Sequence, residues 1–222
     1  MDIKKSVILM LMILTANCVE AKKDEVFTIK QGDPSILLQE KKTAIFDIDY
    51  SKMMVTDGED HDNDLLFYEW MKVQDEDDDK WTEDWVKKDS AECQKAFRDY
   101  FNDEIKKGIK LTKFGKDYKV IFRLFMIDFG PAFKMKLTGY SGGEAKADGE
   151  MELLDIKTGE TLLVIEFKNL KGDSSFKQIG RLKGIFENFA ENLSEYLEEY
   201  KEDMEKQQKK QKKLEKKNKK KD

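Results

Sequence analysis

Eight large side chains near the end of the chain, set three or four residues apart, constrain what it can fold into more than any other feature. Ile179, Leu182, Phe186, Phe189, Leu193, Tyr196, Tyr200 and Met204 fall on one face of a single long α-helix. An apolar stripe of that length has to be covered. At this spacing, core packing against a sheet accounts for it better than a ligand groove does.

The rest of the sequence supplies that sheet. Glu25 to Lys30 reads as a short strand, and Gly32-Asp33-Pro34-Ser35 as a cap followed by a one-turn helix over Ser35 to Gln39. Thr43 to Tyr50 alternates, with Ala44, Phe46, Ile48 and Tyr50 on one side and Thr43, Asp47 and Asp49 on the other. Tyr118 to Phe129 is apolar on both sides, Val120, Phe122, Leu124 and Met126 against Ile121, Phe125 and Ile127, which predicts a central strand covered on both faces. Glu150 to Ile156 and Thr161 to Lys168, joined by Lys157-Thr158-Gly159-Glu160, predict a β-hairpin. Leu65 to Val73 and Trp81 to Lys88 read as short helices. Asp89-Ser90-Ala91-Glu92 has capping-box spacing, and Cys93, Phe97, Tyr100, Phe101 and Ile105 then predict a helix over 90–107, ended by Gly108. The expected fold is α/β (α+β): a single two-layer domain over 22–204, with a mixed sheet of about four strands and both long helices packed on it.

Residues 1–21 have the pattern of a secretory signal. Lys4 and Lys5 precede an apolar run, Ser6 to Ala16, too short to span a bilayer core of ~30 Å, and Val19 and Ala21 are small residues at the cleavage positions. Cleavage after Ala21 makes Lys22 the first mature residue, secreted or periplasmic. The alternative is a lipoprotein anchored at Cys18, although Thr15-Ala16-Asn17 is a poor lipobox. Once Ala21 is cut only Cys93 remains, which excludes an internal disulfide framework and leaves Cys93 as a buried, inert thiol.

Charge is strongly segregated. Residues 206–222 hold ten lysines against Glu215 and Asp222, a local +8, so the rest of the chain carries −13 of the net −5. Eleven acids crowd the insert 57–79 against the single Lys72. A body this acidic repels polyanions, and nucleic acid is not an expected partner. The tail 205–222 reads as a solvated helical extension or a disordered segment. Its lysines, Lys209, Lys210, Lys212, Lys213, Lys216, Lys217, Lys219, Lys220 and Lys221, are the candidates for binding an anionic surface, with peripheral membrane contact.

The inventory for catalysis is poor. His61 is the single histidine and lies in the acidic insert, so no Ser-His-Asp or Cys-His pair assembles. Asp60-His61-Asp62-Asn63-Asp64 opens like a Ca²⁺ loop, but Leu65 stands where Gly is required and Met71 where Glu is required. Asp155 with Glu166 and Lys168 matches the D…ExK pattern of restriction-like nucleases, in which acids hold Mg²⁺ and the Lys positions a water. Along the expected hairpin those acids stand ~13 Å apart, too far for one metal. No cofactor is expected.

The strand Tyr118-Lys-Val-Ile-Phe-Arg-Leu, the following Gly-rich loop, the hairpin Glu152-Leu-Leu-Asp155-Ile-Lys-Thr-Gly159-Glu and the terminal helix together resemble, over 118–197, the amino-terminal domain of TolB and the curli-secretion lipoprotein. Gly32-Asp-Pro-Ser-Ile-Leu, Ala44-Ile-Phe-Asp-Ile-Asp-Tyr-Ser and Asp84-Trp-Val-Lys-Lys are similar to small secreted bacterial envelope proteins of uncharacterised function. These motifs are turn and strand signatures and transfer no active site. The resemblance implies a non-enzymatic interaction or scaffold module of the bacterial cell envelope, its partner an unknown envelope protein or an anionic surface. The alternative is a metal-dependent nuclease or hydrolase using Asp155, Glu166 and Lys168.

Overall fold

Alternation along Thr43–Asp49 and Tyr118–Asp128 brings these two strands side by side, parallel, and the remaining strands assemble outward from them. The computed structural model describes residues 26–56, 64–76, 80–130, 144–175 and 177–218. The signal-like segment 1–21, with Cys18, and residues 57–63 and 77–79 of the acidic insert, with His61, lie outside the described residues. The strands are β1 (Phe27–Gly32), β2 (Thr43–Asp49), β3 (Met54–Thr56), β4 (Leu65–Leu66), β5 (Lys110–Leu111), β6 (Tyr118–Asp128), β7 (Lys146–Asp155) and β8 (Thr161–Lys171). They form one mixed sheet in the order β1-β8-β7-β6-β2-β5, with β3 parallel to the far end of β6 and β4 on β3. β6, β7, β8 and β1 are antiparallel neighbours, while β2 is parallel to both β5 and β6.

The sheet has eight strands, not the expected four or so. The added pieces, β3, β4 and β5, are two or three residues long, too short to show an alternation in sequence. β3 and β5 are recruited by pairing with longer strands, Met54 with Met126 and Lys110 with Thr43, and β4 by pairing with β3.

The central strand is not covered on both faces. Tyr118, Val120, Phe122 and Leu124 are buried, whereas Lys119, Ile121 and Arg123 are half-buried and Phe125 is 39% exposed. The register slips between Leu124 and Met126, a bulge that reverses the inward parity so that Ile127 and Phe129 point into the core. Part of the apolar character read as a second face therefore belongs to the first. Gly149 on β7 lies under the Phe167 ring, where a Cβ would come within 2.5 Å of Phe167 Cζ.

The helices gather on the buried face. They are α1 (Phe67–Glu76), α2 (Trp81–Asp84), α3 (Ser90–Glu104) and α4 (Gln178–Asn218), with a π-helical turn over Trp85–Asp89 joining α2 to α3. α3 ends at Glu104, three residues before the expected stop. A 3₁₀ turn, Pro34–Leu38, is capped by Asp33 Oδ1, which accepts from the Ser35 N–H at 2.8 Å. Phe97 of α3 and Phe186 and Phe189 of α4 enclose Phe122 and Phe167 of the sheet. Cys93 is fully buried, and burial raises its thiol to about 12, so it is inert at neutral pH.

Candidate functional site

α4 has two halves with different physics. From Leu182 to Leu197 its stripe is buried except for the half-buried Tyr196, and Tyr200 is the last aromatic against the body; burial, with Asp33 beside it, lifts the Tyr200 hydroxyl to about 12. Met204, the last member of the stripe, is already 37% exposed, and every residue from Lys201 to Gln211 is exposed. The helix nonetheless continues to Asn218. At ~1.5 Å per residue its 41 residues span about 61 Å, and the part beyond Tyr200 extends about 27 Å. Lys206 pairs with Glu202 at 3.5 Å and Asp203 at 3.1 Å, and Lys209 with Glu205 at 3.7 Å. Beyond Glu205 the next acid is Glu215, so the outer turns are basic. Lys209 and Lys210 are exposed on this arm, Lys212, Lys213, Lys216 and Lys217 fall within its helical span, and Lys219, Lys220 and Lys221 lie outside the described residues.

The outward face of the sheet carries a charge cluster that sequence reasoning passed over. Arg123 on β6 sits between Asp49 of β2 and Glu150 of β7 in register. Its guanidinium lies 2.8 Å from Glu150, 2.7 Å from Glu152 and 3.7 Å from Asp49. Burial would raise the Glu152 carboxyl, but the hydrogen bond donated by Thr161 Oγ1 at 2.6 Å and the Arg123 guanidinium outweigh it and hold the group below the usual glutamate range. Ser51, through hydrogen bonds to its carboxylate, holds Asp49 low as well. The one signal available in sequence was an arginine interrupting an apolar strand.

The structure does not bring the D…ExK acids together. Asp155 turns into its own hairpin, where Oδ1 accepts from the N–H groups of Lys157 at 2.7 Å and Thr158 at 3.0 Å, and these bonds hold it below the usual aspartate range. Glu166 pairs across the strands with Glu150, five positions from Asp155, so the two acids stand about 17 Å apart along β7. Glu166 is engaged by Lys30 at 2.7 Å, with Lys168 at 3.9 Å. Among the described residues no group of three or more His, Cys, Asp or Glu is arranged to hold a metal ion, and no helix is long and apolar enough to cross a membrane.

No family model and no curated protein matches the chain. Among solved structures it is similar to two PelC dodecamers from Paraburkholderia phytofirmans, one of them a point variant. Identity is 10% and 9%, the match spans 76% of this chain and 95% and 96% of those chains, and the TM-score is 0.37 for both. A likeness at that score is too distant to bear on function.

Proposed function

We propose that this protein is a non-enzymatic, secreted or periplasmic interaction module of the bacterial cell envelope that engages an anionic surface through the basic end of α4. The observation that carries this reading is the single helix whose first half is packed on the sheet while its second half projects, lysine-rich, from a body of opposite charge. The body anchors the arm, and its −13 charge turns it away from the surface the arm seeks. Each lysine near an anionic surface contributes about 1 kcal/mol, so several acting together give salt-dependent attachment without a pocket. The envelope location rests on the signal-like segment 1–21.

Co-sedimentation with phosphatidylglycerol-containing vesicles, set against purely zwitterionic ones, tests the reading. The full mature chain is expected to pellet with the anionic vesicles at low salt, and a chain ending at Glu205 to stay in solution while remaining folded. Equal pelleting of both chains, or no preference for anionic vesicles, would contradict it.

A further inference from the structure

The residue that the sequence reads as the cap of α3 does not cap it. Asp89 has helical backbone angles, φ −69° and ψ −37°, and its side chain makes no capping hydrogen bond. The reason is the π-helical turn Trp85–Asp89, which runs α2 into α3 and leaves no free helix start to cap. Such turns insert an extra residue and re-aim the side chains around them. Asp89 is consequently more than nine-tenths buried, and none of the described residues hydrogen-bonds or ion-pairs with its carboxylate. Burial raises its pKa above the ordinary 3.8, against the pull of Lys88. The carboxylate is therefore not sealed in the core: with no partner among the described residues, it opens on a cleft.

Asp89 lines a cleft of about 540 Å³ between the π-turn and the start of α4. Four lysines share the lining, but Lys88 is engaged by Asp84 at 3.1 Å and Lys183 by Glu92. Lys80 and Lys177 carry no ion pair among the described residues. The first turn of α4 holds no acidic side chain, so beside Lys177 the positive end of a 41-residue helix dipole is met by the Ser175 hydroxyl, which accepts from the Lys177 N–H at 3.4 Å, and not by a carboxylate of that turn. Trp81, half-buried, adds an indole to the wall.

These features select among ligand classes. A simple cation would meet two lysines that have no ion pair among the described residues, and a positive helix end. A simple anion would leave Asp89 unpaired and be repelled by it. We infer that the cleft binds a small zwitterion of the amino-acid type, its ammonium on Asp89 and its carboxylate at the start of α4 beside Lys177, with Trp81 against the carbon skeleton.

The test is a titration of the full mature chain, ¹⁵N-labelled, with free L-alanine and L-phenylalanine in the millimolar range, where weak binding becomes saturable. Ethylammonium chloride and sodium acetate serve as half-ligand controls. Saturable shifts of the Asp89, Lys177 and Gly180 amides are expected with the amino acids. The two half-ligands should bind at least about tenfold more weakly, the loss of one charge-assisted contact. Asp89→Asn keeps the side-chain volume, removes a desolvated charge and should fold at least as stably at pH 7, yet weaken amino-acid binding about tenfold. Lys177→Gln, at an exposed position, should weaken it as well. Acetate binding as tightly as alanine, affinity unchanged in Asp89→Asn, or no saturable shift with either amino acid would each overturn the inference.

Discussion

Phe189 on α4 meets Phe122 on β6 edge to face, with ring centroids 4.7 Å apart and planes at 78°. Phe189 also contacts Phe27 at 5.4 Å and Phe167 at 5.3 Å, so one ring ties the helix to three strands. Replacing it with Ala leaves a cavity under the sheet and is expected to cost about 3–5 kcal/mol, read as a lower urea midpoint. A midpoint within error of wild type would mean that α4 is not held by this contact.

Among the described residues Arg123 is the cation that ion-pairs with Asp49, Glu150 and Glu152 together, while Lys52 and Lys119 act on Asp49 and Glu152 from further off. Arg123→Met leaves these carboxylates facing one another, and because the cluster is only partly buried the expected loss at pH 7 is about 1–3 kcal/mol, less than for a fully buried pair. The sign of the pH dependence follows from the lowered pKa values of Asp49 and Glu152. Their contribution to stability is fully present above the ordinary carboxyl values of 3.8 and 4.5 and is lost as pH falls through the lower folded-state values. The difference between wild type and Arg123→Met should therefore shrink on acidification. Chemical denaturation at pH 7 and pH 3 measures it, and a pH-independent difference would remove the electrostatic explanation.

The hairpin acids provide a separate check on chemistry. With Asp155 bound to its own turn and Glu166 held by Lys30, neither Glu166→Gln nor Asp155→Asn should alter any metal-dependent property. Incubation of DNA or RNA with the purified chain in Mg²⁺ or Mn²⁺ is expected to give no cleavage. Metal-dependent cleavage abolished by either substitution would establish the hydrolase reading in place of the interaction module.

Local pattern made some of this fold legible and hid the rest for identifiable reasons. The α4 stripe is visible because it repeats over many turns, and the β7–β8 hairpin because Gly159, at φ +72°, takes the left-handed turn position its sequence implies. β3, β4 and β5 have too few residues to carry a period. The bulge at Phe125 reverses the inward parity partway along β6, so an apolar run that looked two-sided serves a single core. Asp89 matched a capping pattern, but the cap it predicts needs a helix to begin there, and the π-turn prevents that. The Arg123 cluster joins three strands, and only register brings its members together.

In the proposed function the outer, lysine-rich half of α4 carries surface binding while the body only holds it out. Changing Lys209, Lys210, Lys212, Lys213, Lys216 and Lys217 together to Gln removes the charge while keeping a good helix former at every position. The most direct measurement is vesicle affinity against ionic strength for this variant and the wild type, with circular dichroism to confirm equal helix content. Wild-type binding is expected to fall steeply with added salt, and the variant to bind weakly and nearly independently of salt. A variant that binds anionic vesicles as tightly as wild type, with the same salt dependence, would contradict it.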